Sequence, residues 1–211
     1  MKITAVDVFP AHQFVFVKIT TEDGLYGLGE ASLSGRSMSV VHAFDHLRPL
    51  LIGQDATRIE HLWQDLFRGT FWRGGPVLQS ALAGIDIALW DLAGKALGVP
   101  TYRLLGGKAR EKVLVYRHVY CDKPETMVEH GHQLLSAGYR VLRISPTDAI
   151  PDGHFDPRQA VSQGIRYVET LRQTIGSEPE IIVEVHTRLT PARAIEFCNA
   201  IEEYRPFYVE D

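Results

Sequence analysis

Residues 181–211 read IIVEVHTRLTPARAIEFCNAIEEYRPFYVED, and this stretch decides the fold. Ile181 to Val185 is a short run rich in β-branched residues, as in a strand covered on both faces. Pro191 to Tyr204 has helical periodicity and opens on a proline, which suits a first helical position. Phe207 to Asp211 returns as a strand. Strand, helix and strand in that order form a βαβ unit on a parallel sheet. The same alternation extends backwards, through strand Val113–His118, helix Glu125–Ala137, strand Val141–Ile144 and helix Pro157–Ile175. A complete (β/α)₈ barrel takes about 250 residues. Residues 111–211 therefore make either an open four-stranded sheet or a barrel truncated after about half.

Ahead of this region the pattern is different. Lys2–Phe9, Gln13–Thr21 and Leu25–Glu30 alternate like antiparallel strands, with Glu22-Asp23-Gly24 as the turn before the third. Gly27 and Gly29 would let that third strand approach another backbone closely. Amphipathic helices are expected over Val40–Leu51, Arg58–Phe67 and Ser80–Leu97, the last closed by Gly98 and Pro100. Residues 1–110 thus read as an α+β domain, followed by an α/β domain over 111–211.

Composition narrows the function. With 211 residues, 45% hydrophobic and 23% charged, the chain is of ordinary globular type. A net charge of −4 offers no basic field for nucleic acid or an anionic membrane. No apolar run approaches the ~20 residues that span a bilayer. Cys121 and Cys198 have no CxxC partner, which disfavours zinc. Two cysteines and no apparent signal peptide suit a reduced, cytoplasmic compartment.

Candidate chemistry collects at strand ends. Glu184 and His186 lie two apart and share one side of their strand. Glu210 ends the next strand, 26 residues after Glu184, about one strand-to-strand repeat. Ligands gather at the C-terminal ends of parallel strands. Two carboxylates converging there are hard oxygen donors that suit Mg²⁺; solvated charges at strand ends are the alternative. His186 is an acid–base candidate or a loop cap. Arg188 can fork onto an anion or simply face solvent. Arg143 stands inside the apolar strand VLRI, so it either faces the site or marks an edge. The same argument applies more weakly to His118. Trp63, Phe67, Phe71 and Trp72 form a lid or pack a helix. Gly106-Gly107 lacks the lysine of a phosphate loop, and no GxSxG elbow occurs.

Taken together, KITTEDGLYGLGEASLSGR, RIEHLWQDLFRGTFWRGGP, SALAGIDIALWDLAGKALGVPTYRLLGG and RLTPARAIEFCNAIEEYRPFYVED resemble the enolase superfamily. The resemblance is to its mandelate racemase/muconate lactonizing enzyme type, nearest the mannonate- and gluconate-type acid-sugar dehydratases. It implies an N-terminal α+β capping domain and a modified (β/α)₇β barrel. It also implies Mg²⁺ held by carboxylates on three successive strands, with Glu184 and Glu210 on the first two positions. His186 falls on the general acid. Arg143 falls on a catalytic position and His118 near the substrate. Ser34 falls where capping-domain residues touch substrate, and Arg188 joins it as a substrate-binding candidate on its own chemistry. The implied reaction removes the α-proton of a sugar carboxylate through a metal-stabilised enediolate, then expels the 3-hydroxyl.

Departures from the family pattern accompany these matches. The family's first ligand is usually aspartate, and here it is Glu184. No Lys-x-Lys occupies the second strand, which continues Arg143-Ile144-Ser145, and no tyrosine follows between Pro146 and Ala160. His154 or Asp152 stands as the substitute base. These departures keep open a non-catalytic, binding or regulatory relative, or another superfamily reaction such as racemisation. An exposed last strand would favour a homo-oligomer covering residues 207–211.

Overall fold

A computed structural model describes residues 1–147 and 154–211. The chain folds into two units, Met1–Glu111 and Lys112–Asp211.

The N-terminal unit opens with β1 (Ile3–Ala11), β2 (Phe14–Thr21) and β3 (Tyr26–Glu30), paired antiparallel in that order. Alternation sets which face is buried. Val15, Val17, Ile19 and Thr21 of β2 point inward, while Phe14 and Phe16 remain exposed. A slip of one residue would exchange these sets, so the register is strongly specified. Gly24 turns the chain at φ +81°, and Asp23 Oδ1 accepts from the Thr21 hydroxyl and the Leu25 N–H.

Helices α1 (Ser37–Leu51), α2 (Ile59–Arg68), α3 (Pro76–Leu97) and the single turn α4 (Thr101–Leu104) follow. Helix α3 starts four residues before its expected Ser80, because Pro76 pre-sets the first-turn φ. It ends at Gly98 in the left-handed region, whose N–H bonds back to Gly94 and Lys95 carbonyls. By length and composition α3 is apolar enough to cross a bilayer, contrary to expectation. Its apolarity has a nearer use, since Ala81, Leu82, Ile85, Ala88, Leu89 and Leu92 are buried in this unit. The strand β3 lies directly on it. A Cβ on Gly27 would overlap the Ala88 carbonyl, and one on Gly29 the Gly84 carbonyl.

The C-terminal unit is built from β4 (Arg117–Val119), α5 (Pro124–Ser136), β5 (Val141–Ile144), α6 (Pro157–Ile175), β6 (Glu180–Glu184), α7 (Pro191–Ile201) and β7 (Tyr208–Glu210). Among the described residues its strands number four, parallel in the order β4-β5-β6-β7, half the number in a complete barrel. Helices α5, α6 and α7 each begin on a proline, and Asp156 caps α6 by accepting from the Arg158 and Gln159 N–H groups. The expected helix to Tyr204 tightens into a 3₁₀ turn over Glu202–Tyr204.

The expected strand Val113–His118 shrinks to Arg117–Val119. Its partner β5 begins only at Val141 and pairs Arg117 with Leu142, so Val113 to Tyr116 have little to pair with and stay exposed. Side chains of one sheet face form the apolar core: Val119, Leu142, Ile144, Ile181, Val183 and Val209 pack with Met127, Val168, Leu171 and Phe197 of the helices. The opposite face carries His118, Arg143, Glu184 and Glu210.

Candidate active site

Strand register brings these four charged residues together. His118 lies opposite Arg143 in the β4–β5 pairing, and Glu184 lies opposite Glu210 in the β6–β7 pairing. Arg143 is two residues short of that level, opposite Ile182. Its long side chain makes up the difference. Arg143 Nε donates to Glu210 Oε2 at 2.8 Å, its Nη2 pairs with Glu184 Oε2, and its Nη1 donates to His118 Nδ1 at 3.0 Å. The Tyr116 ring centroid lies 5.8 Å from Arg143 Cζ. Arg143 and Glu184 are 7% and 2% exposed, so each buried charge is paired, as burial requires.

The other Glu184 oxygen, Oε1, accepts the His186 backbone N–H at 2.7 Å, and His186 Nε2 stands 3.8 Å from Glu184 Oε2. His186 and Thr187 both adopt left-handed backbone, with φ of +50° and +53°. Non-glycine residues enter that region at a cost and usually where surroundings demand it. Here the turn aims the imidazole back over the strand end, and the Arg188 N–H closes it on Val185 O at 3.1 Å. Burial and the Arg143 guanidinium hold His118 below the usual imidazole range. It therefore stays neutral near pH 7 and can accept the Arg143 hydrogen bond.

As metal donors, Glu184 and Glu210 have the right chemistry. Both are hard carboxylates in register, and they already converge on one cation, the guanidinium. They fit as two of the six oxygen ligands Mg²⁺ prefers. Among the described residues no group of three His, Cys, Asp or Glu side chains stands ready to hold a metal.

Residues 2–106 match the family model for the mandelate racemase/muconate lactonizing enzyme N-terminal domain, and residues 126–211 match the enolase C-terminal domain-like model. The chain belongs to the mandelate racemase/muconate lactonizing enzyme family of the enolase superfamily. Its fold is that of the family: an α+β N-terminal domain and a TIM-like barrel domain, here represented by four strands. Curated relatives within the superfamily include a D-mannonate dehydratase of Caulobacter sp. (strain K31), 38% identical over 96% of this chain. A D-galactonate dehydratase family member of Chromohalobacter salexigens is 37% identical over the same share. In both cases the chain spans 56% of the relative's length. A crystal structure of an enolase from Pantoea ananatis with bound D-gluconate and Mg superposes with a TM-score of 0.86. That protein is 34% identical, and the match covers 100% of this chain and 59% of that one.

The structure thus groups Arg143, Glu184, His186, Glu210 and His118. The Arg188 guanidinium lies 5.7 Å from the Phe155 ring. Ser34 occupies an exposed turn of the N-terminal unit. His154 is exposed, and Asp152 lies outside the described residues. The aromatic quartet divides: Trp63 stacks on Phe67 at 4.9 Å, while Phe71 and Trp72 are 98% and 88% exposed. Trp72 borders a cavity of about 950 Å³ whose lining also includes Leu47, Leu62 and Phe67. Helix packing explains the first pair only. Sequence reasoning missed Tyr116, whose signal was its spacing of two from His118, and missed that Arg143 bridges both carboxylates.

Proposed function

We propose that the protein carrying this chain is a Mg²⁺-dependent acid-sugar dehydratase of mannonate, gluconate or galactonate type, a hydro-lyase working in the cytoplasm. The observation that carries the reading is the set Glu184, His186, Arg143 and Glu210, assembled at the C-terminal ends of parallel strands. The printed names of the relatives, and the gluconate and Mg in the Pantoea structure, support it. Glu184 and Glu210 would hold the ion. When bound, Mg²⁺ lowers the cost of negative charge building up on a substrate carboxylate.

The chain's own residues supply the acid half of the elimination and hold the anion; the acceptor of the α-proton is not among the residues assembled at the site. His186, as imidazolium, donates its proton to the departing 3-hydroxyl. Its left-handed turn holds the ring beside Glu184. Arg143 and Arg188 supply planar guanidinium groups to the anionic substrate. Neutral His118 accepts from Arg143 Nη1 and so offers the guanidinium a partner on the β4 side.

One observation favours a second reading. Both carboxylates are tied to Arg143, as they would be in a non-catalytic relative where the ion network only locks the sheet. A panel of sugar acids with added Mg²⁺, read by formation of 2-keto-3-deoxy acid, separates the two. The dehydratase reading expects Mg²⁺-dependent product that His186→Asn abolishes. No product from any acid, or product unaffected by His186→Asn, overturns it.

A further inference from the structure

One guanidinium engages both strand-end carboxylates. Arg143 donates to Glu210 through Nε, pairs with Glu184 through Nη2 and reaches His118 through Nη1. It stands where a divalent ion would have to share those oxygens. We propose that Arg143 is a built-in competitor for the metal: a divalent cation binds Glu184 and Glu210 only as the guanidinium withdraws, and withdrawal frees Arg143 for an anionic ligand. This rests on the reading of Glu184 and Glu210 as the metal site.

The contacts account for the competition. Each Glu184 oxygen already has a partner, Oε1 the His186 N–H and Oε2 the Arg143 guanidinium, so an ion approaching Oε2 meets a fixed positive charge in contact with that oxygen. Displacing the guanidinium is the less disruptive exchange, because the His186 N–H is fixed by the backbone turn. Arginine stays protonated in proteins, so raising the pH does not release it; a rival cation does. On its far side, His118 and the Tyr116 ring remain to receive the withdrawn side chain. Charge points the same way. Arg143 leaves the pair at net −1, and its departure restores the −2 that a divalent ion matches. Cation and anion binding are therefore linked, the first ligand releasing the group that binds the second.

The test is equilibrium titration of the full chain with Mn²⁺, following free Mn²⁺ by electron paramagnetic resonance. Arg143→Gln should bind Mn²⁺ at least about tenfold tighter than the wild type, because a unit charge within ~4 Å of the ion is gone. In Arg143→Ala, added methylguanidinium should weaken Mn²⁺ binding, and in the wild type it should not. A structural role alone would not produce that competition. Equal or weaker binding in Arg143→Gln, with no methylguanidinium effect, overturns the proposal. If the neutral variants fail to fold, Arg143→Lys keeps the charge but loses the fork; intermediate affinity supports the proposal, and unchanged affinity overturns it. Absence in every form of Mn²⁺ binding that Glu184→Gln removes would instead defeat the metal-site reading itself, and the proposal with it.

Discussion

The two units bury a sheet face in opposite ways. In the N-terminal unit, β3 is stripped to glycine where it meets α3, so backbone lies on backbone, and the charges beside that contact, Asp91 and Lys95, are a partly exposed pair bonded to the Leu28 N–H and the Tyr26 carbonyl. In the C-terminal unit, one sheet face is apolar and helix-covered, while the other buries Arg143 against Glu184. Close packing tolerates no added atom. A buried ion network tolerates a change of partner, provided every charge keeps one. The second arrangement can hold chemistry, because its stability and its ligand preferences reside in the same atoms.

Substitutions can break that contrast. The largest effect is expected from Arg143→Ala, which leaves Glu184 buried and unpaired and should cost the C-terminal unit about 3–5 kcal/mol near neutral pH. Urea titration checks this. The loss should shrink as pH falls, because burial favours the neutral acid and protonation removes the orphaned charge. Gly29→Ala comes next, at about 1–3 kcal/mol and toward the upper end, since the new methyl meets a carbonyl rather than a movable side chain. Its cost should vary with pH less than that of Arg143→Ala, and an equal or greater pH dependence would undo the contrast between the units.

Asp156→Ala removes the α6 cap and should cost about 1 kcal/mol by thermal or urea unfolding. The smallest effect concerns His118. Burial and Arg143 lower its proton affinity in the folded chain, so the unfolded chain binds more protons. Its contribution is therefore present above the unfolded value near ~6.5 and is lost as pH falls through the lower folded value. His118→Gln should flatten the pH dependence of stability in that window. A steeper slope in the variant would mean that the sign is wrong.

Much of this was legible in the chain. Alternation named β2, proline and glycine named the ends of α3, and the βα rhythm named the parallel sheet. Gly27 and Gly29 announced a close approach without naming its partner. The strand over Val113–Tyr116 failed because an apolar run becomes a strand only beside another strand, and β5 pairs with residues 117–119. At the site, spacing put Glu184, His186 and Glu210 at one sheet end. It did not show that Arg143 reaches across two strands to both glutamates, or that His186 and Thr187 take left-handed backbone.

By itself the sequence determined the periods: two for the front strands, near 3.6 for the helices, and a repeat of 26 residues from Glu184 to Glu210. Periodicity is local, because each residue's direction follows from its neighbours along the chain. Only the tertiary structure decided which charges neutralise one another. Ion pairing depends on distance through space between residues 41 and 67 positions apart, and no local pattern encodes that distance.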